Sequence, residues 1–240
     1  HVVCRRQRQM CIRDRHEAPI IITSLRPPED LVKAIHSYGG LVFHDVINTR
    51  HARKAVEQGV DGLILVCAGA GGHAGALSPF ALLRETREWY EGTVLLSGAI
   101  SDGFSVASSL AMGADLAYVG TRFIATKESE ADDDYKKMLI ESAAKDVVYT
   151  NYFSGVHGNY LGPSISRSGM DPQDLPEADK TKMNFNSGGN SSKKVWKDIY
   201  GSGQGISAIK DSPKVGDLVT VMKKEFNDAS KAFATKVTEF

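Results

Sequence analysis

Asp61-Gly-Leu-Ile-Leu-Val-Cys-Ala-Gly-Ala-Gly-Gly-His-Ala-Gly75 carries an apolar run directly into four glycines and one histidine. Leu63 to Val66 is continuously apolar, as in a strand covered on both faces, and such strands belong to parallel sheets. The glycines then form a loop at that strand's C-terminal end, where α/β proteins place their ligands. Gly69, Gly71, Gly72 and Gly75 let backbone approach a ligand or adopt positive φ. His73 is the acid-base side chain among them. A satisfied structural histidine in a common glycine loop is the alternative reading of the same residues.

Outward from this run the pattern repeats. Upstream, Ile20–Thr23 reads as a strand. Pro27-Pro28-Glu29-Asp30 opens a helix through Leu31, Ala34 and Ile35 that stops at Gly39-Gly40. Leu41–Val46 is the next strand, and Thr49 is the expected N-cap of a helix ending at Gly59. Downstream, Ser78-Pro79 starts a helix, Thr93–Leu96 is a strand, Phe104–Met112 a helix, and Leu116–Val119 a strand ending at Gly120-Thr121. Five strands alternating with helices imply right-handed crossovers and a parallel sheet. A doubly wound sheet and a segment of an eight-stranded barrel both satisfy that alternation. Glycines close three successive strands, at Gly71-Gly72, Gly98-Ala99 and Gly120-Thr121, which suits a phosphate held on one face of a barrel. The dinucleotide fingerprint is not met, because Ala74 stands where its last glycine belongs and the later acidic residue is missing.

At 240 residues, 42% hydrophobic and 24% charged, the chain can bury a globular core, and its zero formal net charge argues against nucleic acid or an anionic membrane as partner. No signal peptide and no apolar run of membrane-spanning length is visible. Cys4, Cys11 and Cys67 lack paired spacing, which points to a reducing, cytoplasmic compartment, and no Cys or His pair has metal-ligand spacing. Residues 1–15 hold Arg5, Arg6, Arg8, Arg13 and Arg15 without periodicity. They are expected to be a non-native or disordered basic tail, resembling translated adaptor DNA, with the biological protein beginning near His16 inside a larger fold.

Several ordered motifs carry a specific resemblance. Gly69-Ala-Gly-Gly-His-Ala-Gly75 with Leu77-Ser-Pro-Phe80, Ser97-Gly-Ala-Ile-Ser-Asp-Gly103, the run Gly113 to Thr126, the run Tyr149 to Tyr160, and Trp196 to Gly205 together resemble the nitronate monooxygenase family, formerly called 2-nitropropane dioxygenases. The resemblance spans nearly everything after residue 18. It implies an FMN-binding (β/α)8 barrel, present here without its first three strands, that oxidises nitronates or nitroalkanes with O2 to a carbonyl compound and nitrite. By motif position His73 corresponds to the family's active-site histidine, as general base or as cationic partner of the nitronate. Gly72, Gly75, Ser97, Gly98, Ala99, Gly120 and Thr121 fall on the stretches that line FMN, with Ala99 where many members have glycine. The alternatives are a related FMN barrel such as an enoyl-acyl-carrier-protein reductase, which would need NAD(P)H, or a flavin-binding fragment without turnover.

Other candidates each carry a plainer reading. His44 at a strand end reads as a hydrogen-bonded core histidine, Cys67 as a small buried hydrophobe, and Asp102 as a helix cap. His157 and Tyr160 lie in a Gly-rich segment expected to be exposed turns, either packing near the barrel mouth or simply structural. Three regions result: the tail 1–15, a partial barrel over 16–145, and a loop-rich extension over 146–240. Within the extension, 162–192 reads as a surface excursion, and a last helix runs from about Lys214 to Phe233.

Overall fold

The computed structural model describes residues 16–25, 29–178 and 198–239. The basic stretch 1–15, the Pro27-Pro28 helix start and residues 179–192 of the expected excursion lie outside the described residues, while the start of that excursion, Gly162–Arg167, is a helix with Ile165 fully buried rather than surface loop. The chain runs β1 (Ile20–Thr23), α1 (Glu29–His36), β2 (Leu41–Val46), α2 (Thr49–Glu57), β3 (Gly62–Val66), β4 (Gly72–His73), α3 (Pro79–Arg87), β5 (Thr93–Ser97), α4 (Gly103–Ala111), β6 (Leu116–Ala117), α5 (Thr121–Ile124), α6 (Asp133–Glu141), β7 (Val147–Thr150), β8 (Gly158–Leu161), α7 (Gly162–Arg167) and α8 (Val215–Val237).

The expected five strands form one parallel sheet in the order β1-β2-β3-β5-β6. Each crossover steps in the same direction, without the reversal of order that defines a doubly wound sheet. The sheet is therefore a stretch of barrel wall. It stays open, with β1 and β6 at its edges.

All five residues of β3 are buried, as its unbroken apolar run predicts. Leu63 and Leu65 pack with Val42, Val46, Leu82 and Leu83 under the helices, while Ile64 and Val66 join Phe43 and Ala70 on the inner face. That two-sided burial puts the C-terminal end of β3 at the centre of the sheet. Towards the edges the inner face opens, leaving Ile20, Ile22, Leu41 and Leu116 exposed.

The local chemistry departs from expectation in three places. Asn48, not Thr49, caps α2: its side chain accepts the His51 N–H at 2.8 Å, and Thr49 is already helical, its hydroxyl donating to Glu85. β6 is shorter than the apolar run to Val119, although the Tyr118 N–H still reaches the Leu96 carbonyl at 2.8 Å. The segment read as exposed turns contains β7 and β8, which with β4 build a second, antiparallel sheet in the order β4-β8-β7. Tyr160, on β8, is fully buried rather than exposed.

α8 closes the described chain against α4. The Gly103 N–H donates to Glu225 Oε2 at 2.8 Å, and a Cβ at Gly103 would run into the α8 backbone at Met222 and Phe226. Among the described residues, no helix is long and apolar enough to cross a membrane, and no three His, Cys, Asp or Glu side chains group as metal ligands.

Candidate functional site

The loops after β3, β5 and β6 meet at one end of the sheet, and one carbonyl ties them together. Gly69, at φ +84°, turns its C=O so that it accepts both the Ala99 N–H at 3.1 Å and the Gln204 N–H at 2.9 Å. Gly98 stands at φ +143° with the Ala68 carbonyl 2.8 Å from where a Cβ would be, so a side chain is excluded on two counts. Gly71 approaches the Gly203 backbone equally closely, and the Gly203 N–H donates to Thr121 Oγ1 at 2.9 Å. The Gly201–Gly205 loop thus becomes a fourth wall.

These walls enclose a cleft of about 350 Å³. Gly72, Ser97, Gly98, Ala99, Gly120 and Thr121 all line it. Gly75 does not: its N–H bonds the Val66 carbonyl at 3.1 Å, and a Cβ there would meet Ile47 at 2.9 Å, so its glycine serves packing. Ala99 sits at φ +55°, unusual for a residue with a Cβ, and its N–H is committed to Gly69, so at this position glycine would relieve strain. At Gly120 a Cβ would meet nothing within 4 Å, so this glycine keeps the cleft open rather than the chain foldable.

Tyr118, Tyr135, Tyr200 and Gly203 also line the cleft, and the sequence reading missed them as site residues. Tyr135 and Tyr200 stack at 4.2 Å, and the Tyr135 hydroxyl donates to the Gly201 carbonyl. The alternating glycines Gly201, Gly203 and Gly205 are the signal that could have exposed this wall, since they repeat the composition of the loop after β3.

His73 lies beside the cleft rather than in its lining. β4 pairs with β8 so that Gly72 faces Asn159 and His73 faces Gly158. Asn159 Nδ2 donates to the Ala70 carbonyl at 2.7 Å and Tyr149 Oη to the Ala74 carbonyl at 3.0 Å, which fixes the histidine loop from both sides. The half-buried imidazole places Nε2 2.8 Å from Ser154 Oγ. Burial lowers its pKa from the usual 6.5, so the ring is neutral near pH 7, the state a base requires.

The remaining candidates resolve simply. His44 is buried and bonded through Nδ1 to Thr23 Oγ1 at 2.6 Å. Cys67 is buried, and desolvation pushes its thiol up to about 12, which leaves it unreactive. Asp102 caps α4, accepting the Ser105 N–H at 2.7 Å in a capping box. His157 stacks on Tyr149 at 5.0 Å.

No charged side chain lines the cleft among the described residues. Arg122, next to Thr121, is buried but turned away to Asp211 at 3.0 Å. An anionic group here would meet backbone N–H groups and the hydroxyls of Ser97, Ser101 and Thr121, the donor set of a glycine-loop phosphate cradle. A flavin phosphate fits that chemistry and the open space at Gly120.

Comparison with known proteins follows the same outline. A family model described as nitronate monooxygenase matches residues 4–225. A nitronate monooxygenase from Paraburkholderia phytofirmans is 30% identical over 156 residues, covering 61% of this chain and 43% of that protein. One from Neurospora crassa is 27% identical over 225 residues, covering 85% and 58%. The chain thus spans about half the length of the curated relatives it matches. A solved nitroalkane oxidase from Streptomyces ansochromogenes superposes with a TM-score of 0.75 at 24% identity, over 93% of this chain and 68% of that one, which shows the shared fold.

Proposed function

The chain belongs to the nitronate monooxygenase family, and on that premise we propose that it is part of an FMN-dependent oxidoreductase that converts alkyl nitronates, or their parent nitroalkanes, and O2 into a carbonyl compound and nitrite. The observation that carries this is the meeting of three glycine-ended strands around an uncharged cleft, with a neutral histidine on the loop that forms one wall.

FMN, when bound, would supply the electron transfer to oxygen. The chain's own residues do the rest. Ser97, Gly98, Gly120 and Thr121 would hold the FMN phosphate through neutral donors, which would make binding depend on geometry more than on ionic strength. Tyr135 and Tyr200 wall off the cleft and limit water. His73 takes the proton from the carbon bearing the nitro group, and the C–H electron pair becomes the C=N bond of the nitronate. A substrate that arrives as a nitronate has already lost that proton and asks of His73 only polarity.

Oxygen uptake with nitrite release on adding ethylnitronate to the FMN-loaded protein, without NADH, is the test. Flavin reduction that instead requires NADH and leaves nitronate untouched would place the protein with the enoyl reductases.

A further inference from the structure

Asn159 stands where two walls of the cleft share one strand edge. Its backbone pairs with Gly72 on β4, and its carbonyl accepts the Ser202 N–H at 3.1 Å. One residue on, Tyr160 bridges to Gly201, and the Leu161 N–H reaches the Tyr200 carbonyl at 2.8 Å. The edge of β8 thus passes from the histidine loop to the Gly201–Gly205 wall at Asn159. The side chain adds a further tie. A carbonyl can only accept, so in the 2.7 Å contact with Ala70 the Asn159 amide Nδ2–H is the donor. Asn159 is 1% exposed and Ala70 5%, so bulk water does not replace either partner. The wall in turn reaches the phosphate cradle, where the Gly203 N–H donates to Thr121 Oγ1 at 2.9 Å. Past His73, Ala74 donates its N–H to the His157 carbonyl at 3.2 Å and accepts the Tyr149 hydroxyl at 3.0 Å. Among the described residues, the Tyr149 hydroxyl bond holds the histidine loop without extending to the wall.

We propose that Asn159 is a positioning residue that couples the two halves of the site: its amide sets the loop carrying His73 against the wall behind the phosphate cradle. The consequence for catalysis rests on the readings of the cradle and of His73 in the preceding subsection. The imidazole has contacts of its own, Ser154 among them, and Asn159 acts on the backbone beneath the ring. A phosphate in the cradle orders the wall through Gly203, and Asn159 passes that order to the histidine loop. Loss of the Asn159 amide therefore weakens cofactor binding and proton abstraction together. Loss of the Tyr149 hydroxyl loosens the histidine loop and leaves the cradle alone.

The test begins on the wild-type chain, without substrate. In protein labelled with ¹⁵N-imidazole histidine, with His73→Asn used to assign the signal, inorganic phosphate at concentrations that displace FMN shifts the His73 resonance. If phosphate and FMN do not compete, the cradle reading falls and the proposal with it. If they compete and the His73 signal stays still, the proposal alone falls. Asn159→Asp then isolates the amide. It keeps the shape, but a carboxylate has no proton to offer the Ala70 carbonyl, whereas a buried carboxyl, raised in pKa, regains one as pH falls. Relative to wild type at the same pH, FMN affinity read by fluorescence titration is unchanged at about pH 5 and about tenfold weaker at about pH 8, the scale of one hydrogen bond. At the higher pH the phosphate-induced shift of His73 is lost; a shift that persists there travels by another route and overturns the proposal. Tyr149→Phe lowers kcat for a neutral nitroalkane at saturating FMN and leaves FMN affinity at the wild-type value. If Asn159→Asp lowers only the melting temperature, with FMN affinity and the His73 shift intact, Asn159 is a structural residue and the proposal is overturned. The coupling is read without turnover, so a failure of the base reading, seen as intact nitroalkane oxidation in His73→Asn, is distinguishable from a failure of the coupling.

Discussion

The two ends of the parallel sheet are built from opposite materials. At the N-terminal end, Asp61 donates its N–H to the Val42 carbonyl at 2.8 Å and accepts the Val42 N–H on Oδ2 at 2.7 Å, while His36 Nε2 sits 2.8 Å from the same oxygen. Asp115 repeats the ring on Val94, at 2.9 and 2.7 Å, with Arg87 Nη2 at 2.6 Å. Each time a carboxylate just before a strand clamps the neighbouring strand and recruits a base from a helix end. At the C-terminal end the same positions are taken by glycines whose backbones touch, with Gly69 as the hub. One end uses side chains to tie the strands. The other removes side chains so that a ligand can enter.

Substitutions can break this division, beginning with the largest expected effect. His73→Asn should lower kcat/KM for neutral nitroalkanes by roughly 10² to 10⁴, the usual range for a general base, and lower pre-formed nitronate oxidation much less. Flavin absorbance should survive. Equal losses on both substrates, measured by oxygen uptake, would leave His73 an electrostatic or packing residue.

Two glycines of the cleft should part company. Gly98→Ala forces a side chain onto φ +143° and towards the Ala68 carbonyl, so chemical denaturation should show a loss of roughly 2–3 kcal/mol. Gly120→Ala, at φ −112° with open space around its Cβ, should leave stability unchanged while weakening FMN binding about tenfold, read by fluorescence titration. A Gly120→Ala protein that unfolds early but binds FMN normally would erase the distinction.

At the opposite end, Asp115→Ala should cost about 1 kcal/mol of stability, because the Val94 N–H and Arg87 lose their acceptor, and FMN affinity should not move. Burial alone raises the Asp115 pKa, but the Val94 N–H and the Arg87 guanidinium outweigh it and leave the carboxyl below its usual 3.8. That contribution is present above pH 3.8 and is lost as pH falls through the lowered value. A denaturation midpoint for Asp115→Ala that matches wild type at neutral pH would count against the clamp.

The smallest effect is a pH slope. His44, lowered by burial and then by the charge of His51, and His73, lowered by burial, both have folded pKa values below their unfolded ones. Between about pH 6.5 and those lowered values the unfolded chain binds more protons, so stability falls as pH drops. His44→Gln should flatten part of that slope in thermal melts recorded from pH 7 downward. An unaltered slope would mean that His44 protonates as readily in the folded protein as in the unfolded chain.

The sequence by itself determined the parallel, alternating architecture, because apolar run length and glycine position act within a few residues of one another. β3 was legible for that reason, as were the glycine-ended cleft loops, the Asp102 cap and the inertness of Cys67. The clamp aspartates recur as Gly59-Val-Asp61 and Gly113-Ala-Asp115, but the sequence reading gave them no role, because they gain meaning only once the neighbouring strand is known. Tertiary structure alone decided the single-direction strand order, the burial of Tyr160, the wall made by Tyr200 to Gly205, and the contact between His73 and Ser154. Asn48 took the cap from Thr49 by a difference of one residue in helix start, a difference that composition cannot resolve. Ser154 and His73 stand 81 residues apart and meet only because β4 and β8 pair, and no local periodicity encodes a hydrogen bond across that distance.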